Sequence, residues 1–296
     1  MDKPGRYLIV GSDGLIGKSL SRYFVQTGSS VLETTRRSET ISKERIYLDL
    51  SKDPGNWDYP PDISVAFICA GITSLKTCRE KLALSRIVNV TNTVKLARRL
   101  MQNEIRIIYL STNLVFDGNV PHSRIDQPVS PKTEYGKQKV EAEKILLSEG
   151  DLVTILRLTK IIDSQKRLFS DWVQDLRSND SIYPISGKCF SPLPIDYVLK
   201  VVNYLSVQGR QGIVQISGER DVTYEDVGYY IADYIGVSRD RVSPVPANGN
   251  SVDMETMPIH TTLDISGTVY ESGISAPVVW TTIKQMVHQI VSDAKD

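Results

Sequence analysis

The sequence has no excess of charge of either sign, because 35 lysine and arginine residues balance 35 aspartate and glutamate residues. Non-specific nucleic-acid binding needs a basic face, so this balance argues against a nucleic-acid partner. Cysteine is scarce as well, and Cys69, Cys78 and Cys189 form no CxxC pattern. We therefore expect no disulfide framework, no metal site and a reducing compartment.

Long apolar runs are also missing. The run near the N-terminus covers residues 7–11 and ends in glycine, whereas a membrane-spanning helix needs about 20 apolar residues. It is also too short for the apolar core of a signal peptide. With 41% hydrophobic and 24% charged residues, the composition excludes wholesale disorder. We expect a soluble, cytoplasmic protein without a membrane partner.

The first half of the chain alternates short apolar runs with amphipathic stretches. The runs are rich in β-branched residues and mostly lack polar alternation, which is typical of strands buried on both faces of a parallel sheet. They cover residues 7–10, 30–34, 65–69, 105–110 and 153–156. The stretches between them carry apolar residues every three or four positions, as helices do. This alternation predicts an α/β fold, a doubly wound parallel Rossmann sheet.

After about residue 163 the segments shorten, and proline and glycine interrupt them more often. We expect residues 1–163 to form a nucleotide-binding Rossmann domain. Residues 164–296 would form a smaller C-terminal α+β substrate lobe, some of whose segments return to the first domain. Such a lobe would cover the carboxyl ends of the strands, where these sheets bind ligands.

A glycine-rich turn follows the first predicted strand and precedes an amphipathic helix. Gly11, Gly14 and Gly17 suit a tight turn, a close approach of the backbone to a pyrophosphate and close packing of helix on strand. The start of the helix would offer free N–H groups to the phosphates. The residues that we assign to this cofactor site are Gly11, Ser12, Asp13, Gly14, Leu15, Ile16 and Gly17.

The GxxGxxG spacing of this turn resembles the extended short-chain dehydrogenase/reductase family. In that family, an acidic residue at the end of the second strand favours NAD, whereas arginine near that position favours NADP. Here Thr35 takes the acidic position, and Arg36 and Arg37 follow it. Arginine offers a planar, permanently charged fork that suits a phosphate. We therefore expect NADP (NADPH) to be preferred over NAD, the alternative being that both arginines are ordinary surface residues.

Three further elements resemble the cofactor site of this family. Asp49 and Leu50 follow a short third strand and resemble the pair that contacts the adenine. A second element, Cys69-Ala70-Gly71, resembles the segment that lines the cofactor at the end of the fourth strand. Asn89 matches an asparagine that is common in a helix of these proteins.

A hydroxyl, a phenol and an ammonium group are predicted to converge after the strand at 105–110. Tyr135 and Lys139 are four residues apart and would share one face of a helix. Ser111 and Thr112 come directly after the strand, at its carboxyl end. The combination of YxxxK with the preceding STxxVFDG is more specific than either motif alone.

Together these motifs resemble the dTDP-4-dehydrorhamnose reductase-like branch of the family. The resemblance implies hydride transfer between the nicotinamide and the ketone carbon of a 4-keto nucleotide sugar. Tyr135 would act as general acid, and Thr112, with Ser111, would hydrogen-bond the carbonyl oxygen. Lys139 would hold the nicotinamide ribose and lower the pKa of Tyr135. Tyr135 and Lys139 therefore count among the cofactor residues too.

Two departures from the branch fall on the substrate side. Its STDYVF motif here contains Asn113 and Leu114, and its aromatic segment after the sixth strand is replaced by residues 159–163. These changes keep two alternatives open: an epimerase or dehydratase that retains its cofactor, and a non-catalytic regulatory subunit that binds NADP. The sugar, the nucleotide and the oligomeric state stay open, with a homodimer as one candidate.

Overall fold

The structure is a computed structural model that describes residues 5–163, 167–246 and 258–293. The chain divides into two compact units. Residues 199–214 belong to the first unit, although they follow residue 163, the boundary expected from the sequence. The first unit comprises Met1–Phe116, Pro128–Arg157 and Leu199–Val214, and the second comprises Asp117–Gln127, Leu158–Val198 and Gln215–Asp296.

The strands predicted in the first half are all present, with ends shifted by one or two residues. In chain order the strands are β1 (Arg6–Val10), β2 (Val31–Thr35), β3 (Arg45–Tyr47), β4 (Ile63–Ile68), β5 (Arg106–Leu110), β6 (Val153–Leu158), β7 (Lys160–Ile162), β8 (Cys189–Phe190), β9 (Pro192–Pro194), β10 (Gly212–Ile216) and β11 (Val222–Thr223). A seven-stranded sheet has the order β10-β6-β5-β4-β1-β2-β3. The neighbours among β1 to β6 pair in parallel. This is the strand order of a dinucleotide-binding doubly wound sheet, so the predicted fold class is confirmed.

In the first half of the chain the helices lie between the strands, as the alternating pattern predicts, and the last three helices follow β11. The helices are α1 (Leu15–Gln26), α2 (Leu75–Glu80), α3 (Leu82–Arg86), α4 (Thr93–Met101), α5 (Glu134–Ser148), α6 (Arg167–Arg177), α7 (Ile195–Gln208), α8 (Tyr224–Ile235), α9 (Ser266–Ser272) and α10 (Val279–Asp293). A π-helical stretch, Ile87–Asn92, joins α3 to α4. None of the helices within the described ranges is both long and apolar enough to cross a bilayer.

The core of the first unit explains why its strands show no polar alternation. Ala66, Phe67 and Ile68 on the central strand β4 are all fully buried, so successive side chains on both faces are covered. Tyr7 and Phe24 pack edge-on, with ring centroids 4.7 Å apart, and both lie against Phe67. Helices therefore cover both faces of the sheet, and this explains the continuous apolar runs in the sequence.

The second unit contains two small sheets and its own apolar core. β8 pairs with β11 in the antiparallel sense, and β7 pairs with β9 in parallel. α6, α8 and α10 contribute Val173, Val227 and Ile283 to one buried cluster. Lys160 lies in the segment 159–163, where the dTDP-4-dehydrorhamnose reductase-like branch has aromatic residues. Its Nζ donates to the Tyr224 hydroxyl at 2.7 Å.

Candidate active site

The glycine turn between β1 and α1 depends on close backbone contacts. Gly11 has a φ of +91°, and a Cβ on it would lie 2.8 Å from the backbone of Ala70. A Cβ on Gly17 would lie only 2.3 Å from the carbonyl oxygen of Gly11. At Gly14 a Cβ would meet nothing closer than 3.6 Å. Gly11 and Gly17 thus serve packing, whereas Gly14 leaves space in front of the helix.

The start of α1 suits an anion. Gly14 is its N-cap residue, and no side chain caps it or places a carboxylate in its first turn. Its first N–H groups and the positive end of the helix dipole therefore face an open space. This arrangement fits the pyrophosphate of a dinucleotide.

A cavity of about 340 Å³ extends from the glycine turn past the ends of β2, β3 and β4. Cys69 lies in its wall, and burial raises the pKa of that thiol to about 12, so it stays protonated. The predicted cofactor residues that line the cavity are Gly11, Asp13, Gly14, Arg36, Arg37, Asp49, Leu50, Cys69, Ala70 and Gly71.

Other predicted cofactor residues support the turn and do not line the cavity. The Ser12 hydroxyl is buried and donates to the carbonyl oxygen of Thr34 at 2.9 Å. Leu15 and Ile16 are half-buried in the first turn of α1, and Gly17 packs against Gly11.

Asp13 organises the charged end of the cavity. Its Oδ2 accepts from the Thr35 hydroxyl at 2.8 Å, and its Oδ1 accepts from Arg45 Nη2 at 2.6 Å. Arg37 Nε lies 3.9 Å from Oδ1, and its side chain is 64% exposed. Three arginines, Arg36, Arg37 and Arg45, therefore lie at or beside this end.

Sequence reasoning missed Arg45. It lies on β3 directly opposite Glu33 on β2, and its Nε is 3.4 Å from the Glu33 carboxylate. The Ser21 hydroxyl also donates to Glu33. Glu33 is thereby held by α1 and β3. Only the pairing of β2 with β3 reveals this contact.

Asn89 lies behind the cavity wall and not in it. Its carboxamide accepts from the Ile72 N–H at 2.8 Å and donates to the Ile72 carbonyl at 2.9 Å. It also donates to Gln138 Oε1 at 2.8 Å, and Gln138 donates to the Ser85 hydroxyl at 2.8 Å. This buried network joins the loop after β4 to the helix that carries Tyr135. Gln138, one residue before Lys139, is a second residue that motif reasoning missed.

The first turn of α5 packs against the turn after β5, which begins at Thr112. Thr112 Oγ1 accepts from the Leu114 N–H at 3.2 Å and caps a short helical turn. The Thr133 hydroxyl accepts from the Gly136 N–H at 3.0 Å and caps α5. A Cβ on Gly136 would lie 2.2 Å from the Leu114 carbonyl oxygen. Gly136 therefore lets the first turn of α5, with Tyr135, lie directly against the residues that follow Thr112.

The Lys139 ammonium is bonded to the end of β5 and lies near the ring of Tyr135. Its Nζ donates to the Leu110 carbonyl at 2.7 Å and lies 4.3 Å from the centre of the Tyr109 ring. The distance from Nζ to the centre of the Tyr135 ring is 5.8 Å. Both Tyr135 and Lys139 are buried.

The expected lowering of the Tyr135 pKa by Lys139 is not found in this structure. Burial raises the pKa of Tyr135, and burial lowers the pKa of Lys139 to about 8, with Glu143 opposing that change. The reason is that Nζ makes its close hydrogen bond to a carbonyl, whereas desolvation disfavours the phenolate and the ammonium alike.

Ser111 does not share the position expected for it. Its hydroxyl donates to Glu143, which in turn accepts from Arg157 Nη2 at 2.7 Å. All three residues are at most 4% exposed, so they form a buried support beneath the turn. Thr112 has no part in this support and stays the predicted hydrogen-bond donor to the substrate.

The chain matches the family described as "RmlD substrate binding domain" over residues 5–292. It belongs to this family. The resemblance to the dTDP-4-dehydrorhamnose reductase-like branch of the extended short-chain dehydrogenases is thereby confirmed. With it comes the class of the protein, an NAD(P)-dependent oxidoreductase of the short-chain type with a nicotinamide cofactor.

Curated relatives match over most of the chain. The "Probable low-salt glycan biosynthesis reductase Agl14" of Haloferax volcanii is 24% identical over 285 residues, which cover 92% of this chain and 93% of that protein. The dTDP-4-dehydrorhamnose reductase of Aggregatibacter actinomycetemcomitans is 24% identical and covers 77% and 78%. The methionine adenosyltransferase 2 subunit beta of Xenopus tropicalis is 25% identical and covers 82% and 76%.

Solved structures share the fold. The dTDP-4-dehydrorhamnose reductase of Clostridium acetobutylicum superimposes with a TM-score of 0.81 at 18% identity, covering 96% of this chain and 99% of that one. The corresponding reductase of Bacillus anthracis, in complex with NADP, gives a TM-score of 0.80 at 15% identity, covering 99% of both chains. At these identities the likeness establishes the architecture alone.

Proposed function

We propose that the protein is an NADPH-dependent reductase of a 4-keto nucleotide sugar. The observation that supports this proposal is that α5, with Tyr135 and Lys139, packs against the turn that follows Thr112, in the unit that also holds the glycine turn. The absence of a side chain on Gly136 allows this close packing against Leu114. A bound NADPH would supply the hydride for the ketone carbon.

Tyr135 would hold and deliver the proton. Burial raises its pKa, so the phenol is protonated at neutral pH and has a proton to give. A proton donor positioned at the ketone oxygen typically contributes about 10²–10⁴-fold to the rate. Lys139, with a pKa of about 8, is mostly charged at neutral pH and would hold the nicotinamide ribose.

Thr112 would hydrogen-bond the ketone oxygen as it gains charge. Its Oγ1 accepts from the Leu114 N–H, which fixes the hydroxyl, and its hydrogen would turn from a long 3.5 Å bond to Asn113 Oδ1 towards the ketone oxygen. A fixed donor aimed at a developing oxyanion needs no reorganisation during the reaction. Asn113 and Leu114 are half-buried in the same turn and would contact the sugar.

The preference for NADPH is supported by the charged end of the cavity. Arg36 and Arg37 line it, and Arg45 Nη2 donates to Asp13 Oδ1 at 2.6 Å. A 2′-phosphate placed there would gain charge-assisted hydrogen bonds from guanidinium groups. Thr35 takes the position where a carboxylate would favour NAD.

The direct test is a panel of 4-keto nucleotide sugars with varied bases and sugars, assayed for oxidation of NADPH by the purified protein. We expect at least one member to be reduced, with a product in which the 4-keto group has become a hydroxyl. Tight NADPH binding without turnover on any member would contradict the proposal.

A second candidate function is that of a non-catalytic, cofactor-binding regulatory subunit. Two observations favour it: the Asn113-Leu114 departure, and the match to a protein named as a subunit of methionine adenosyltransferase. The intact set of Thr112, Tyr135 and Lys139 argues against it. Absence of turnover, together with a partner protein that co-purifies in fixed stoichiometry, would favour this function.

A further inference from the structure

A thiol, a carboxylate and an imidazole meet in the second unit. One potential ligand atom from each of Cys189, Asp221 and His260 lies within 4.8 Å of the other two. Cys189 begins β8, Asp221 directly precedes β11, and His260 lies close to the start of the described range 258–293. Three segments far apart in the chain therefore converge on one point.

Hydrogen bonds hold these segments in place. Asp221 Oδ1 accepts from the Thr261 N–H at 3.0 Å and from its hydroxyl at 2.7 Å. The Thr261 hydroxyl also accepts from the Ser191 N–H at 2.6 Å, which ties β8 to the same place. The His260 N–H donates to the Gly118 carbonyl at 2.9 Å. The cluster is thus held by backbone contacts from several sides.

We propose that Cys189 Sγ, Asp221 Oδ2 and a ring nitrogen of His260 bind one divalent transition-metal ion of the zinc type, with water as fourth ligand. Zinc takes sulfur, nitrogen and oxygen ligands at about 2.0–2.3 Å in a tetrahedron. Ligand atoms in such a tetrahedron lie about 3.3–3.6 Å apart. His260 Nδ1 and Asp221 Oδ2 are already 3.3 Å apart, and the largest separation of 4.8 Å needs a shift of little more than about 1 Å.

The chemistry of the donors and their exposure select this kind of ion. Sulfur and imidazole nitrogen favour zinc over magnesium or calcium, which take oxygen ligands. Cys189 is buried, whereas the His260 side chain is 35% exposed, so an ion and its water can enter from the imidazole side. The Asp221 oxygen that is bonded to Thr261 acts as the outer support that orients the other oxygen.

The test uses the full chain, purified without a polyhistidine tag and stripped with a chelator. Titration with Co²⁺ should give one ion per chain, with the visible bands of a tetrahedral site and a near-ultraviolet thiolate-to-cobalt charge-transfer band. Zn²⁺ should displace the Co²⁺ and raise the melting temperature of the protein. Failure to bind Co²⁺ and Zn²⁺ in stoichiometric amount would overturn the proposal and leave a cluster joined by hydrogen bonds alone.

Variants locate the ion. Cys189→Ser should abolish the charge-transfer band, and His260→Asn should weaken Zn²⁺ binding at least about 10-fold. His260→Asn alters a partly exposed side chain, so it carries the test if Cys189→Ser fails to fold. The matched controls Cys78→Ser and His288→Asn, which change a thiol and an imidazole outside the cluster, should leave the band and the affinity unchanged. A band that persists in Cys189→Ser, or an equal loss in a control, would overturn the proposal. None of these readouts depends on reductase activity.

Discussion

Two strand-to-helix junctions in the first unit, one after β1 and one after β5, are packed in the same way but present different groups to a ligand. After β1, Gly17 allows α1 to pack against the carbonyl of Gly11; after β5, Gly136 allows α5 to pack against the carbonyl of Leu114. A Cβ would come within 2.3 Å and 2.2 Å of those oxygens, respectively. The first contact spans six residues and the second spans 22, so only the first appears as a compact sequence motif.

The two junctions differ in what they present. The first offers backbone N–H groups and open space in front of Gly14, which suits binding of an anion. The second offers the side chains of Thr112, Tyr135 and Lys139, held by capping bonds and by the carbonyl of Leu110. Cofactor binding thus depends on open space at the first junction, whereas the proposed chemistry depends on positioned side chains at the second. Changes at Tyr135 or Gly136 should therefore affect turnover, and changes at the first junction should affect cofactor affinity.

The largest effect is expected for Tyr135→Phe. Loss of the phenolic proton should lower turnover by about 10²–10⁴-fold while the NADPH dissociation constant stays within about twofold. Steady-state rates and calorimetric titration measure the two quantities. Tyr197→Phe, which removes another buried hydroxyl, should leave turnover unchanged. A Tyr135→Phe enzyme of normal turnover would remove Tyr135 from the proposed mechanism.

Next in size is the contrast between Gly136→Ala and Gly14→Ala. A methyl group on Gly136 must push α5 away from Leu114, and a displacement of about 1 Å can cost about 10²-fold in turnover. On Gly14 a methyl group meets only ordinary contacts, so the melting temperature should hold while NADPH affinity falls. An equal change of cofactor affinity in both variants would contradict the different roles assigned to the two junctions.

A smaller effect is expected when Arg36 and Arg37 are both changed to Ala. NADPH binding should weaken by about 1–3 kcal/mol and NADH binding by much less, because only NADPH carries the 2′-phosphate. Calorimetry with both cofactors measures the difference. The exposed pair Arg22→Ala and Arg239→Ala serves as a control for net charge. Equal losses for both cofactors would mean that Arg36 and Arg37 act only as a general field, and tighter NADH binding by the unaltered protein would reverse the preference.

The smallest effect concerns pH. Lys139 has a pKa of about 8, so its ammonium is charged below that pH and neutral above it. NADPH affinity should therefore fall as the pH rises through 8, by about tenfold or less for one weakened hydrogen bond. Titrations on both sides of this pH measure the fall, and Lys139→Met should bind more weakly with a flat profile. A wild-type profile that is flat as well would exclude this titration of Lys139.

Much of this could be predicted from the sequence because it depends on local patterns. The runs at 7–10 and 105–110 predicted β1 and β5 to within one or two residues, since buried parallel strands carry continuous apolar residues. The glycine turn was readable because its three glycines lie within seven residues, although Gly11 also packs against the distant Ala70. The predicted residues of the cavity wall also follow strand ends directly, so knowledge of the strands was enough to locate them.

The rest depends on contacts between elements. The sequence suggested that Ser111 is a second reactive hydroxyl. In the structure it bonds to Glu143 on α5, and the pairing of β5 with β6 brings Arg157 to the same carboxylate. Arg45 reaches Asp13 across 32 residues of chain. The metal site proposed at Cys189 has ligands from three distant segments, so no spacing rule could indicate it. Motifs in a single sequence do not show which side chains the order of the strands brings into contact.

The buried trio of Ser111, Glu143 and Arg157 has an evolutionary consequence. Replacing Glu143 or Arg157 alone would leave a buried charge without its partner, at a cost of about 3–5 kcal/mol, so these two positions can change only together. Asn113 and Leu114 follow directly after Thr112, are half-buried and carry no charge. Substrate preference can therefore change in evolution through substitutions at these two adjacent residues, while the buried residues beneath them stay the same.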